Sequence, residues 1–195
     1  MTRLSLAILI SGRGSNMEAL LSAAEDPAYP AKPVLVASNR PDAKGLQTAS
    51  AAGIPTLAID HKLYGKDRET FERALDKALT DAGTEIIALA GFMRVLTSWF
   101  VTRWEGRMIN IHPSLLPRYK GLDTHQRAID AGDAEAGCTV HWVSAGVDEG
   151  EIIAQAAVPI LPGDTAQTLA ARILPEEHKL YPRALALACE KIKTA

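Results

Sequence analysis

Apolar runs alternate along the amino-terminal part of the chain with segments whose apolar residues recur at helical spacing. The runs predict strands near 4–10, 33–38, 55–59, 85–90 and 107–111. The segments between them predict helices near 15–25, 43–52, 66–82 and 97–104. Runs such as LSLAILI and EIIALA are apolar without alternation, which is typical of parallel strands buried on both faces. We therefore predict an α/β fold with a doubly wound, mostly parallel, Rossmann-like sheet.

The pattern changes after residue 136. GCTVHWV at 137–143 and EIIAQAAVP at 151–159 predict two antiparallel strands, and 165–193 predicts one long helix. Pro175 and Pro182 lie inside that helix and are expected to interrupt it, because proline offers no N–H to the helical ladder. No internal repeat or linker divides the sequence, so we expect a single domain over 1–195.

Composition narrows the class of partner. The 195 residues carry a net charge of −2 without a long basic run, so the chain lacks the electrostatic footprint of a nucleic-acid-binding protein. LSLAILI is too short to span a membrane. Cys138 and Cys189 are far apart in apolar surroundings and are interpreted as reduced core residues, which favours a cytoplasmic location. We expect small-molecule partners, and the sequence leaves the oligomeric state, including a homodimer, open.

A glycine-rich turn, SGRGSN at 11–16, joins the first predicted strand to the first predicted helix. Free backbone N–H groups and the positive end of a helix dipole favour an anion at such a turn. The alternative is a tight connection in which Ser15 or Asn16 only caps the helix. A dinucleotide fits less well, because Met17 replaces the third glycine of GxGxxG and Asn39 stands where an acidic ribose ligand is expected. The turn therefore suits a single phosphate.

Polar residues cluster at the ends of later strands. Asn110 and His112 are two residues apart, as are Thr139 and His141, so each pair faces one side of a strand. Asp148 follows in the loop VDEG. Because ligands of open α/β sheets collect at the carboxyl ends of strands, we expect these side chains and the glycine-rich turn to share one site.

The chemistry of this cluster indicates acyl or one-carbon transfer at a carbonyl. Asn110 and a protonated His112 would donate hydrogen bonds to an oxyanion, while Asp148 would hold the imidazolium and receive a proton through water. Ser114 follows a proline outside any GxSxG context, which argues against a covalent nucleophile. Zinc is an alternative use for His112, His141 and Asp148, but their spacing matches no metal signature.

Taken together, these segments resemble the phosphoribosylglycinamide formyltransferases, a folate-dependent family of purine biosynthesis. The resemblance covers nearly the whole chain. It rests on SGRGSN at 11–16, AGFMRVL at 90–96, NIHPSLLP at 110–117, GCTVHWV at 137–143, VDEGEII at 147–153 and EEHKLYP at 176–182. The family implies 10-formyltetrahydrofolate as co-substrate, the glycinamide amine as nucleophile and no metal. It also implies a phosphate-binding half over about 1–105 and a folate and catalytic half over about 106–195.

The resemblance assigns roles residue by residue. Asn110, His112 and Asp148 are implied to be catalytic, supported by Thr139 and His141. The residues implied to bind the ribonucleotide are Gly12, Arg13, Gly14, Ser15, Asn16 and Glu177. Those implied to bind the folate are Arg68, Leu89, Met93, Arg94, Val95, Leu96, Asn110, Val143, Ser144, Ala145, Gly146, Val147 and Asp148. The loop at 115–125 departs most from the family pattern, at Lys120 and Asp123, so the resemblance does not assign its contacts.

Three rival functions stay open at this point. SLLPRYKG and QRAIDAGDAEAG also resemble methionyl-tRNA formyltransferase, and formyltetrahydrofolate hydrolase would use the same Asn, His and Asp to activate water. Both families carry an additional domain, for which we expect no room in this chain. The third rival is a non-catalytic phosphate- or nucleotide-binding module, in which the polar cluster only satisfies buried groups.

Overall fold

The computed structural model describes residues 2–194, which form a seven-stranded sheet with helices on both faces. The strands are β1 (Leu4–Ile10), β2 (Ala31–Ser38), β3 (Thr56–Ala58), β4 (Ile86–Leu89), β5 (Met108–His112), β6 (Glu135–Trp142) and β7 (Ile152–Pro159). Their order in the sheet is β3-β2-β1-β4-β5-β6-β7. The pairs among β1 to β5 are parallel, whereas β5 with β6 and β6 with β7 are antiparallel. The predicted fold class is confirmed.

The described residues contain six α-helices, of which the first five lie between strands and the sixth follows β7. They are α1 (Ser15–Ala23), α2 (Lys44–Ala51), α3 (Arg68–Asp81), α4 (Ser98–Arg103), α5 (Thr124–Asp130) and α6 (Ala166–Thr194). A short 3-10 helix, His61–Tyr64, precedes α3. The sequence pattern predicted neither the 3-10 helix nor α5, because α5 has seven residues and buries only Thr124 and Ala128. Such a segment has too few apolar positions to show helical periodicity.

The hydrophobic core lies on both faces of the sheet. Along β1, Leu6, Ile8 and Ile10 belong to a cluster that includes residues of α1 and α6. Leu9 belongs to the opposite cluster, which includes Phe71 and Trp104. Successive strand residues point to opposite faces, so a strand covered on both sides must be apolar throughout. This explains the unbroken apolar character of the predicted parallel strands.

The predicted interruption of the last helix is wrong. Helix α6 runs continuously for 29 residues with Pro175 and Pro182 inside it. An interior proline costs about 3 kcal/mol, whereas burial of a large apolar side chain contributes about 1.5–3 kcal/mol. The buried face of α6 carries Leu169, Ile173, Leu180, Tyr181, Ala184, Leu185, Ala188 and Cys189. The packing of that face therefore outweighs the two lost hydrogen bonds.

Both cysteines are free and buried, as predicted for reduced core residues. Burial raises the pKa of the Cys138 thiol to about 12 and that of Cys189 to about 11, so both stay protonated near neutral pH. Within residues 2–194, no helix is both long enough and apolar enough to cross a membrane.

Candidate active site

The order of the strands places a crevice between β1 and β4. The chain winds outward from β1 to β2 and β3 on one side and from β4 to β5 on the other, so the loops after β1 and β4 diverge. A cleft of about 530 Å³ lies at this point. Its lining residues are Ser11, Gly12, Arg13, Gly14, Ser15, Asn16, Asn39, Arg40, His61, Ala90, Gly91, Met93 and Arg94. Three arginines and no carboxylate line the cleft, which favours an anionic ligand.

The glycine-rich turn forms one wall of the cleft and starts α1. Gly14 occupies the N-cap position with φ 75°, and no side chain caps the helix. The alternative in which Ser15 or Asn16 is the cap is therefore wrong. Only glycine adopts this left-handed conformation without strain, and the first-turn N–H groups keep no intrahelical acceptor. Arg13 is exposed at the rim.

Asn16 connects this turn to the carboxyl-terminal helix. Its side-chain amide donates a 2.7 Å hydrogen bond to Oε2 of Glu177, which is buried in α6. Burial raises the pKa of Glu177, and the hydrogen bond from Asn16 offsets part of that rise. Because 161 residues separate the two side chains, no local pattern in the sequence indicates this contact.

The polar cluster lies where β5 pairs with β6. Asn110 is opposite His141, and His112 is opposite Thr139. Nδ1 of His141 lies 2.9 Å from the Trp142 carbonyl and donates to it, because a carbonyl only accepts. Nε2 of the same ring lies 3.3 Å from Nδ2 of Asn110. One N–H of this amide therefore faces the ring, and the other is left for a further acceptor.

Asp148 completes the cluster from the loop after β6. Its Oδ2 lies 3.3 Å from Nδ1 of His112 and accepts a 3.0 Å hydrogen bond from the Gly121 N–H. Its Oδ1 lies 3.6 Å from Nε2 of His141. Burial alone would raise the pKa of Asp148, but attraction from His141, the Gly121 N–H and His112 lowers it overall. The carboxylate is therefore ionised at neutral pH.

Both ring nitrogens of His112 face acceptors. Nδ1 faces the Asp148 carboxylate at 3.3 Å, and Nε2 lies 2.9 Å from the Tyr119 carbonyl oxygen. A neutral imidazole donates from only one nitrogen, whereas the imidazolium donates from both. Each nitrogen of this buried ring therefore lies within hydrogen-bond reach of an acceptor.

Thr139 lies beside this cluster but points to different partners. Its hydroxyl donates to the Ser114 carbonyl at 2.7 Å and accepts from the Leu116 N–H at 3.0 Å. Nε2 of Gln155 also donates to the Thr139 hydroxyl oxygen, at 2.9 Å. Thr139 therefore holds the turn that follows β5, and His141 is the member of the pair that contacts Asn110.

The residues predicted to surround a folate fall in two loops and one helix end. Leu89 ends β4, Met93 to Leu96 lie in the loop after it, Val143 to Asp148 follow β6, and Arg68 begins α3. The side chains of Met93, Val95 and Val147 are 68%, 61% and 57% exposed, so these loops present apolar groups outside the core. Nη1 of Arg68 donates to the Val95 carbonyl at 3.3 Å, which joins the helix end to the first loop.

Six residues that line the cleft received no binding role from the sequence: Ser11, Asn39, Arg40, His61, Ala90 and Gly91. Ser11 and Asn39 directly follow β1 and β2, so their place at carboxyl strand ends was an available signal. His61 lies in the short 3-10 helix, for which the sequence offered no signal. The described part of the chain, 2–194, contains no group of three or more His, Cys, Asp or Glu placed to hold a metal ion.

Comparisons with known protein families, sequences and structures all match formyltransferases. A model of the formyl transferase family matches residues 4–185. Phosphoribosylglycinamide formyltransferase from Haemophilus influenzae is 44% identical over 177 residues, covering 91% of this chain and 83% of that protein. The crystal structure of phosphoribosylglycinamide formyltransferase from Brucella melitensis is 53% identical, covers 96% of both chains and superposes with a TM-score of 0.91.

Longer relatives also match. The trifunctional purine biosynthetic protein adenosine-3 of Bos taurus is 50% identical over 182 residues, which cover 93% of this chain but 18% of that protein. The chain therefore spans less than a fifth of the length of these trifunctional relatives.

Proposed function

This chain belongs to the formyl transferase family, and we propose that it transfers a formyl group from 10-formyltetrahydrofolate to the amine of phosphoribosylglycinamide. The product would be the formylated ribonucleotide of purine biosynthesis. Relatives that bear the phosphoribosylglycinamide formyltransferase name and match over most of both chains support this substrate pair. Free, buried cysteines suit a reducing, cytoplasmic compartment.

The observation that carries the proposal is the convergence of Asn110, His112, His141 and Asp148 beside the cationic cleft. Asn110 pairs with Leu89 in the sheet, and Ala90, the next residue after Leu89, lines the cleft. An amide donor and an imidazole–carboxylate pair therefore lie at the second strand from β1, the strand that the glycine-rich turn follows. This arrangement suits a reaction in which negative charge develops on an oxygen next to a phosphorylated substrate.

Each catalytic group has a separate role in the proposed reaction. The substrate amine attacks the formyl carbon, and the free N–H of Asn110 and the ring of His112 donate hydrogen bonds to the resulting oxyanion. Asp148 keeps His112 charged and passes the proton of the amine through water to N10 of the folate. The bond between N10 and the formyl carbon then breaks, and tetrahydrofolate leaves.

His112 must exchange one partner for this role. In the structure its Nε2 donates to the Tyr119 carbonyl, which occupies the position that an oxyanion would take as acceptor. Its other nitrogen stays on Asp148. We infer that the oxyanion replaces the Tyr119 carbonyl at Nε2 when substrates bind, so that the segment bearing Tyr119 moves and Asp148 does not.

The remaining predicted residues bind the two substrates in this proposal. The phosphate binds at the N–H groups of 12–16, and Glu177 accepts from the ribose hydroxyls. The pterin ring lies between the loops after β4 and β6, whose exposed Met93, Val95 and Val147 it would cover. Arg68 binds a carboxylate of the glutamate tail. Burial of apolar side chains and neutralisation of Arg68 would both favour this mode.

A spectrophotometric assay of folate release tests the proposal. Purified protein is supplied with a 10-formyl folate, with and without phosphoribosylglycinamide. Release that requires the ribonucleotide is expected. Release with water as the only acceptor would instead indicate a hydrolase, and no release in either condition would contradict formyl transfer to this acceptor.

A further inference from the structure

Ser11 joins the two loops that line the cleft. Its N–H donates to the Gly91 carbonyl at 3.1 Å, and its hydroxyl accepts a 2.7 Å hydrogen bond from the Met93 N–H. Both partners lie in the loop after β4. Ser11 itself is followed directly by Gly12, the first glycine of the turn, and is only 6% exposed. Two hydrogen bonds from one buried residue therefore fix the loop after β4 against the glycine-rich turn.

Asn39 fixes the direction in which the Ser11 hydroxyl donates. Ser11 Oγ lies 2.5 Å from Oδ1 of Asn39, which is 3% exposed. Nδ1 and the backbone N–H of His61 both donate to the backbone carbonyl of Asn39, at 2.8 and 3.2 Å. The hydroxyl proton of Ser11 is thus committed to Asn39, and its lone pair is left for the Met93 N–H.

The turn has a second, separate attachment. The Gly45 N–H at the start of α2 donates to the Gly12 carbonyl at 3.0 Å. A Cβ at Gly45 would lie 2.9 Å from the Arg13 carbonyl oxygen and 3.1 Å from that of Gly12, so this approach requires glycine. The hydrogen bond from Gly45 reaches the turn and not the loop after β4, whereas Ser11 is hydrogen-bonded to that loop.

We propose that Ser11 is a positioning residue that holds the phosphate-binding turn and the folate-facing loop in one fixed arrangement. The inference rests on the proposed function, because it takes the turn as the ribonucleotide site and Met93 as part of the folate site. Ser11 itself contacts neither reacting atom. It acts through the Met93 N–H on one side and through its peptide bond to Gly12 on the other.

Kinetics of Ser11→Ala test this role. The variant leaves the Met93 N–H without its acceptor, and loss of one such bond is worth about tenfold in binding. We expect the KM values for both the folate and the ribonucleotide to rise about tenfold, with a smaller change in kcat, since Asn110, His112 and Asp148 keep their own partners. Gly45→Ala should raise the KM for the ribonucleotide alone.

Ser38→Ala is the matched control. Ser38 is also a buried serine at a strand end, but its hydroxyl accepts only from the N–H of Arg40 within its own turn. Because Arg40 lines the cleft, this variant is a control for the folate side alone, and we expect its KM for the folate to stay at the wild-type level. Unchanged KM values for both substrates in Ser11→Ala, with active wild-type protein, would overturn the inference.

Two readouts do not depend on turnover. Hydrogen exchange at the Met93 amide should accelerate about tenfold in Ser11→Ala and stay unchanged in Ser38→Ala. If wild-type protein shows no turnover, the proposed function fails, and titration with ribose 5-phosphate and with tetrahydrofolate still tests the inference. Weaker binding of both in Ser11→Ala supports it, whereas unchanged exchange at Met93 or unchanged binding of both contradicts it.

Discussion

The two halves of the candidate site present different chemical groups, backbone N–H groups in one and side chains in the other. Around the glycine-rich turn, the groups proposed to bind ligand are backbone N–H groups made available by the left-handed Gly14 and by the absence of a side-chain cap. Around β5 and β6, the groups proposed to act on the substrates are the side chains of Asn110, His112 and Asp148. A backbone site depends on main-chain conformation, whereas a side-chain site depends on charge and hydrogen-bond partners. Substitutions should therefore affect binding in the first half and turnover in the second.

The largest expected effect is on turnover in the side-chain half. Asp148→Asn keeps an acceptor for the Gly121 N–H but loses the charge that faces His112. We expect kcat to fall roughly 10²-fold or more with little change in either KM, because the carboxylate acts mainly in the transition state. Steady-state kinetics with both substrates measures the effect.

A carboxylate outside the site supplies the control for that prediction. Asp164→Asn removes an ion pair of 2.6 Å with Arg172 at the start of α6. This variant should lose stability and keep its kcat. A kcat near the wild-type value in folded Asp148→Asn would show that the charge has no catalytic role.

A smaller effect, confined to binding, is expected in the backbone half. Gly14→Ala places a β-carbon on a residue with φ 75°, which costs about 1–2 kcal/mol in the left-handed region. Relaxation of that strain would move the first-turn N–H groups. We expect the KM for the ribonucleotide to rise about tenfold, with the KM for the folate and kcat little changed.

Gly53→Ala provides the same backbone strain outside the candidate site, before the amino end of β3. Gly53 has φ 76° and lies between α2 and β3, with no atom within 4 Å of an added Cβ. Its substitution should lower stability to a similar extent and leave both KM values unchanged. Equal KM values for the two alanine variants would contradict the backbone account of the phosphate site.

The smallest expected effect concerns the ionisation of Glu177 and Asp148. Burial raises the pKa of Glu177, so the folded state disfavours the ionised form of this side chain. The resulting loss of stability grows as pH rises from the pKa of the unfolded state through that of the folded state. Asp148 has a lowered pKa and contributes stability that is lost as pH falls through its folded value. Glu177→Gln should therefore raise the unfolding temperature at neutral pH by about 2–4 °C, the shift that about 1 kcal/mol produces in a chain of this size.

Calorimetry at two pH values checks the sign of that effect. The stabilisation of Glu177→Gln should shrink towards pH 4, where Glu177 is protonated in the parent protein. The same substitution should raise the KM for the ribonucleotide if Glu177 holds the ribose hydroxyls. A lower unfolding temperature at neutral pH would show that the ionised carboxyl is net stabilising.

The same contrast between backbone and side chains explains what the sequence could predict. Strands β1 and β4 were predictable because burial on both faces requires unbroken apolar runs. The continuous helix through Pro175 and Pro182 was not, because its stability comes from packing against distant strands. Asn110, His112 and Asp148 were recognisable from spacing and from family motifs, since strand geometry places residues two apart on one face.

Contacts between distant segments were beyond the reach of the sequence. The hydrogen bond between Asn16 and Glu177 joins the first and last helices, and the family motifs suggested only that both residues bind the ribonucleotide. The hydrogen bond from His112 to the Tyr119 carbonyl depends on the conformation of the turn after β5, where Tyr119 itself has φ 56°. No side-chain pattern specifies where a backbone carbonyl points.

The central claim is that the formyl group passes from the folate to the ribonucleotide amine. Mass spectrometry of the products formed from a ¹³C-formyl-labelled 10-formyltetrahydrofolate and phosphoribosylglycinamide tests it most directly. The account predicts that wild-type protein places the label in the formylated ribonucleotide, and that Asp148→Asn does so roughly 10²-fold more slowly. Label recovered as free formate, with the ribonucleotide unmodified, would contradict it.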